Sequence, residues 1–254
     1  MLTFGEHLEV LRKMLFRILA LTACIAVVVF CFKDETFRLL LAPCEWNFIT
    51  FRGIEQLCAF IGWDFHFEEY HIDLIATELS SQFMTHLTTS IYLGLLGASP
   101  YIMYELFRFI SPALYEDERK YSVQVVVIIY LLFVIGVLMS YYVIFPISFR
   151  FLGTYQVSEA VKSTITLSSY IASFTTLTLV MGLVFQLPVI SFFLAKIGFI
   201  DAGMMKTYRR HAFMLILIVS AVITPPDVFT LILVAVPLYG LYEVSIKVAE
   251  RVRR

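Results

Sequence analysis

The chain has 254 residues, of which 60% are hydrophobic and only 15% charged, with a formal net charge of -1 and a mean hydropathy of +0.85. That composition lies outside the range of soluble domains and identifies an integral membrane protein, for which no nucleic-acid partner is expected.

A helix needs roughly 20 mainly apolar residues to cross ~30 Å of hydrocarbon. Four runs of that kind are plain, over about 14–32, 83–110, 123–145 and 170–197. The remaining apolar stretch, 212–248, is divided by the sequence ITPPD, where tandem prolines and an acid favour a turn. Two short spans are predicted there, 212–223 and 228–248. The first would be about 18 Å long, too short to cross a bilayer unaided. Either the membrane thins or protein shields the helix ends around this pair, or the pair is a re-entrant hairpin. The expected fold is therefore all-α: six transmembrane helices, the last two short, in a single domain over 1–254.

The first span has a long apolar run with no small-residue cleavage site after it, so it is expected to stay in the mature chain. Six spans place both termini and two loops on one side. Only Lys33, Arg38, Arg52, Arg150 and Lys162 fall on the other side, leaving fourteen of the nineteen basic residues with the termini. Basic residues near span ends mark the cytoplasmic face, so both termini are expected inside.

The loop 33–82 is long and acidic. Its aromatics, among them Trp46, Phe48, Phe51, Trp63, Phe65, Phe67 and Tyr70, suit either short helices at the membrane surface or a cap over the helix ends. Cys44 and Cys58 lie here, where an oxidising compartment would permit a disulfide; their spacing does not decide it. His66, Glu68 and His71 match no zinc pattern, and no metal or other cofactor is expected. In the second span, Gly94, Gly97 and Pro100 suit a close helix crossing and a kink near the middle, and Glu105 and Arg108 are spaced to pair on one helix face.

Catalysis finds no support. The chain has no phosphate loop, nucleophile elbow or H-E-x-x-H helix, and its spans are nearly free of Asp, Glu and His. Three polar features remain. Glu9, Arg12 and Lys13 precede the first span; Glu9 either pairs with Arg12 or Lys13 or is left to receive a basic ligand. Glu116, Asp117 and Glu118 form an acidic spot on an otherwise basic face, suited to a guanidinium, whose fork matches a carboxylate. Gln186 sits in the fourth span, with Thr224 and Asp227 at the proline turn. An amide in hydrocarbon needs a partner, either inside the monomer or on a helix of another subunit. A secondary transporter is the rival class, though it would want charged groups converging near the midplane, usually in repeated halves.

Several segments occur in the order of one family: HLEVLR, LLLAP at 39–43, FRFISPALYEDERKY, YYVIFPISFRF, GLVFQLP and ITPPDVF. The chain resembles TatC, the polytopic core subunit of the twin-arginine protein translocase. The resemblance implies a cup-shaped bundle in the bacterial cytoplasmic (inner) membrane, not an enzyme. It implies a receptor for paired-arginine signal peptides of folded precursors, which assembles with single-span TatA/TatB-type subunits and further copies of itself for export driven by the proton-motive force. It places the signal site on Glu9, Arg12, Phe109, Pro112, Leu114, Tyr115, Glu118 and Arg119, with Gln186, Pro188, Thr224 and Asp227 as the docking region for partner helices. Two departures stand out. The family pattern H-L-x-E-L-R has its acid where this chain has Val10, and a Glu is common where this chain has Gln186.

Overall fold

The computed structural model describes residues 4–63, 66–70, 72–110, 122–156, 158 and 164–252. The described residues are almost wholly helical and divide into two compact units, 1–39 with 78–131 and 40–77 with 132–254.

The first unit is built on α1 (Phe4–Cys31) and α4 (Ser81–Ile110). Their contacts run in opposite chain directions. Arg17 meets Glu105, Ile25 lies by Gly97, Thr22 and Ala26 lie by Gly94, and Phe30 stacks on His86 with ring centroids 4.1 Å apart. The pair is therefore antiparallel. A Cβ at Gly94 would come within 2.8 Å of both the Ala26 Cβ and the Thr22 carbonyl oxygen. Only a residue without one lets the backbones come this close, the packing that helices use in lipid, where burial of apolar surface supplies little. The expected crossing at Gly94 and Gly97 is observed, and Pro100 is accommodated within an unbroken α4.

Among the described residues, four helical stretches are long and apolar enough to cross a membrane: Leu8–Cys31, Gln124–Thr154, Leu167–Lys196 and Val228–Arg251. They answer to predicted spans one, three, four and six. At 30 residues α4 is long enough by length, whereas α10 (Arg209–Ile223) is short, as its sequence suggested. The third stretch continues past its predicted end. It comprises α5 (Ser122–Met139), a wide π turn over Ser140–Ile144, and α6 (Phe145–Thr154). Pro146 explains the wide turn, since it has no N–H to give. The Tyr142 carbonyl that it would serve in an α-helix accepts the Thr50 hydroxyl.

The second unit packs α6 against α7 (Leu167–Val184) through rings. Phe145, Phe149, Tyr170 and Phe174 meet edge to face at 5.0 Å, and the buried Tyr170 hydroxyl donates to the Leu40 carbonyl at 2.7 Å. Gly136 lies against the Met181 carbonyl, and Gly182 against the Phe133 ring. Beyond a break, α8 (Leu187–Lys196) packs on α11 (Val228–Val252). Ala195, Ile200, Ala202, Met205, Tyr242, Ile246 and Ala249 form the apolar cluster around α9 (Ala202–Thr207). Arg209 pairs with Glu243 and Lys206 with Glu250 beside it. The proline turn falls between α10 and α11 as expected.

The loop 33–82 carries α2 (Lys33–Leu41), a 3-10 turn over Ala42–Cys44, and α3 (Ile49–Phe60). Leu74–Ile75 pairs with Ile165–Thr166 as a two-residue parallel ladder. The aromatics of the loop 33–82 differ in burial. Phe48 and Phe51 are buried, and the Arg150 guanidinium sits over Phe67, Tyr70 and Phe51 at 4.4, 4.7 and 5.1 Å while donating to the Glu68 carbonyl. Trp46 and Trp63 remain exposed. Cys44 and Cys58 are free thiols. Burial pushes the Cys44 thiol up to about 11 and the Tyr70 hydroxyl up to about 12, so both are neutral at physiological pH. Among the described residues no group of three or more His, Cys, Asp or Glu side chains converges; His71 lies outside them.

Candidate functional site

The antiparallel register of α1 and α4 decides which sequence motifs share an end of the first unit. Arg17 is level with Glu105, so the residues preceding Arg17 on α1 are level with those following Glu105 on α4. Glu9 and Arg12 therefore lie at the end where Phe109 closes α4 and the chain enters the acidic loop. Pro112, Leu114, Tyr115, Glu118 and Arg119 lie outside the described residues, as do Glu116 and Asp117.

Glu9 pairs with Lys13 one turn on, at 2.9 Å, with both side chains more than half exposed. Water screens such a pair strongly, so the carboxylate can exchange Lys13 for a better-matched cation. Arg12 is exposed and Phe109 half-buried on the same end. A continuous helix through HLEVLR turns Glu9 about 100° from the position that Val10 occupies. Both side chains are exposed, so the shift moves the acid around the helix without burying it.

One cluster near this end escaped the sequence reading. Glu105 is 4% exposed, and its Oε1 accepts from Arg17 Nη1 at 3.0 Å and from the Tyr101 hydroxyl at 2.7 Å. The spacing along α4 points to Arg108, whereas the cation that pairs with the carboxylate is Arg17 of α1. A buried carboxylate is tolerated only when paired and hydrogen-bonded, which this one is.

The second candidate region lies in the other unit. Pro188, buried at the start of α8, has no N–H for Val184, and the Gln186 N–H turns to Leu183 at 3.0 Å. The predicted fourth span is thus two helices with a break at Phe185 and Gln186. The Gln186 amide folds back, Nε2 donating to the Gly182 carbonyl at a long 3.5 Å. Part of the reason for an amide here is therefore local: it serves a carbonyl that the break leaves without its usual donor. Thr224 donates to the Ser220 carbonyl at 2.8 Å and closes α10. Asp227 Oδ1 accepts from the Thr230 N–H at 2.6 Å and caps α11. Gln186, by contrast, lies inside its span.

Apolar helices of membrane-crossing length, broken and capped by prolines and joined through glycines, define a polytopic α-helical membrane protein. Comparison with known proteins makes this specific. The family model described as Sec-independent protein translocase protein (TatC) matches residues 6–237. A Sec-independent protein translocase protein TatC of Blattabacterium sp. subsp. Periplaneta americana is 33% identical over 250 residues, covering 97% of this chain and 94% of that protein. One from Helicobacter pylori strain 26695 is 38% identical over 204 residues, covering 77% and 80%. A crystal structure of the twin arginine translocase receptor TatC superposes with a TM-score of 0.77 at 26% identity, covering 98% of this chain and all of that one. The chain belongs to the TatC family of Sec-independent protein translocase proteins. It is a translocase component of the membrane, and the family is not one of catalysts.

Proposed function

We propose that the chain is the signal-reading subunit of a twin-arginine translocase in the bacterial inner membrane, with both termini cytoplasmic and six spans. Glu118 and Glu9 receive the paired guanidinium groups of a precursor's signal peptide. Arg12, Phe109, Pro112, Leu114, Tyr115 and Arg119 shape the surrounding surface. The observation that carries this reading is the antiparallel register of α1 and α4, which brings the HLEVLR helix to the end of α4 that leads into the acidic loop. Guanidinium is the matched ligand because its planar fork gives a carboxylate two parallel charge-assisted hydrogen bonds. The concentration of basic residues beside the same loops supports placing that end in the cytoplasm.

The test is site-specific photocrosslinking in membranes from positions 9, 109 and 118. A twin-arginine signal peptide is expected to crosslink from all three, and a crosslink from none of them would sink the assignment.

Single-span TatA/TatB-type subunits dock at the broken fourth span, where Gln186 and Pro188 interrupt the helix, with Thr224 and Asp227 shaping the neighbouring turn. Energy for transport comes from the proton-motive force acting through the assembled complex, which holds further copies of this chain. Gln186→Leu removes the amide and keeps the volume. Copurification of the single-span partners is expected to fall several-fold while signal crosslinking holds; undiminished copurification would leave Gln186 with its local helix role alone.

A further inference from the structure

Helix α3 has two apolar faces, and the protein covers only one. On the inner face Phe51 is 2% exposed, Ile54 and Cys58 are half-buried, and Glu55 Oε1 accepts from the Phe67 N–H at 2.8 Å. About 100° of rotation per residue gathers Ile49, Leu57, Phe60 and Ile61 into a second stripe, turned away from Phe51. Those four side chains are 64%, 64%, 91% and 77% exposed. Phe16, Leu19 and Val236, on helices of membrane-crossing length, show the same order of exposure, at 70%, 65% and 66%.

Two features name what covers this stripe. The chain has only two tryptophans, and they bracket the helix: Trp46 just before it and Trp63 just after, the latter 75% exposed. Indole rings favour the headgroup level of a bilayer. Along the edge of the stripe stand Arg52 and Gln56, and Arg52 Nε donates to Asn47 Oδ1, which holds its guanidinium beside the apolar residues. A cation flanking an apolar stripe that ends in indoles is the pattern of a helix lying in the interface plane, its charge at the level of lipid phosphates. We infer that α3 is a membrane-interface helix: its Ile49–Leu57–Phe60–Ile61 stripe lies in the headgroup–acyl boundary of the exoplasmic leaflet, with Arg52 against lipid phosphate. The helix then has a function besides capping, since it ties the loop 33–82 to the bilayer surface.

Trp63 reports on this directly. In the full-length Trp46→Phe chain, reconstituted in phosphatidylcholine–phosphatidylglycerol vesicles, Trp63 is the sole indole. Its emission is expected to be blue-shifted from that of the unfolded chain, quenched by lipids brominated near the glycerol end of the acyl chain, and protected from aqueous iodide. Adding Leu57→Ser and Phe60→Ser should bring a several-fold loss of bromine quenching while the chain still elutes as a folded species in detergent. Quenching by iodide and not by bromolipid would place the stripe in water. Protection from both quenchers would assign it to protein, a second copy included. Bromine quenching that survives the double serine change would show that another element holds Trp63 at the membrane. Each of these three results overturns the inference.

Discussion

Glu118→Gln is expected to reduce binding of a twin-arginine signal peptide by roughly 10- to 100-fold, with the chain still inserted at its usual level. The amide keeps the size of the side chain and its capacity to hydrogen-bond, and removes only the charge. A hydrogen bond to a charged group is worth about 1.5–3 kcal/mol, and about 1.4 kcal/mol is tenfold in affinity, which sets that range. The loss should exceed that from any change at Glu9, because Glu9 already has Lys13 as a partner and stands one residue away from the family's acid position. Titration of a labelled signal peptide onto the chain in nanodiscs measures the effect, and an affinity equal to that of the unaltered chain would remove Glu118 from the site.

The second large effect comes from Gly94→Val. The new Cβ would meet Ala26 Cβ and the Thr22 carbonyl at 2.8 Å and the Ala26 nitrogen at 2.9 Å. Two of those three atoms are backbone, which has no rotamer to retreat into. Overpacking costs typically about 1–3 kcal/mol and more where backbone must move. Forcing α1 from α4 also strains the Arg17–Glu105 pair and separates Glu9 and Arg12 from the end of α4 that carries Phe109. Thermal stability in detergent and signal crosslinking are therefore expected to fall together, whereas Glu118→Gln affects only the second. Gly240→Ala is the control. A Cβ there meets nothing within 4 Å, so neither measurement should worsen.

Hydropathy carried most of the span positions, because a helix crossing lipid is apolar on nearly every side and its length is fixed by the bilayer. What hydropathy cannot show is how a helix answers its own prolines. Pro146 widens one turn, and the helix then runs on to Thr154, nine residues past the predicted end at 145. Pro188 does the opposite, interrupting the predicted fourth span at Gln186, whose amide then reaches the Gly182 carbonyl. The Arg17–Glu105 pair was out of reach for another reason. Its residues are 88 positions apart, and nothing local at Glu105 distinguishes Arg17 from the nearer Arg108. Glu9 and Asp227 were legible as residues worth singling out, but their partners Lys13 and the Thr230 N–H follow from helix geometry at three and four residues' distance.

The central claim is that carboxylates at the cytoplasmic end of α1 and α4 read two guanidinium groups. The most direct measurement compares, on the same nanodisc preparation and at the same ionic strength, the affinities of a signal peptide with its two arginines intact and with both changed to glutamine. The glutamine peptide is predicted to bind at least as weakly as the intact peptide binds the Glu118→Gln chain. Equal affinity of the two peptides for the unaltered chain would contradict the account.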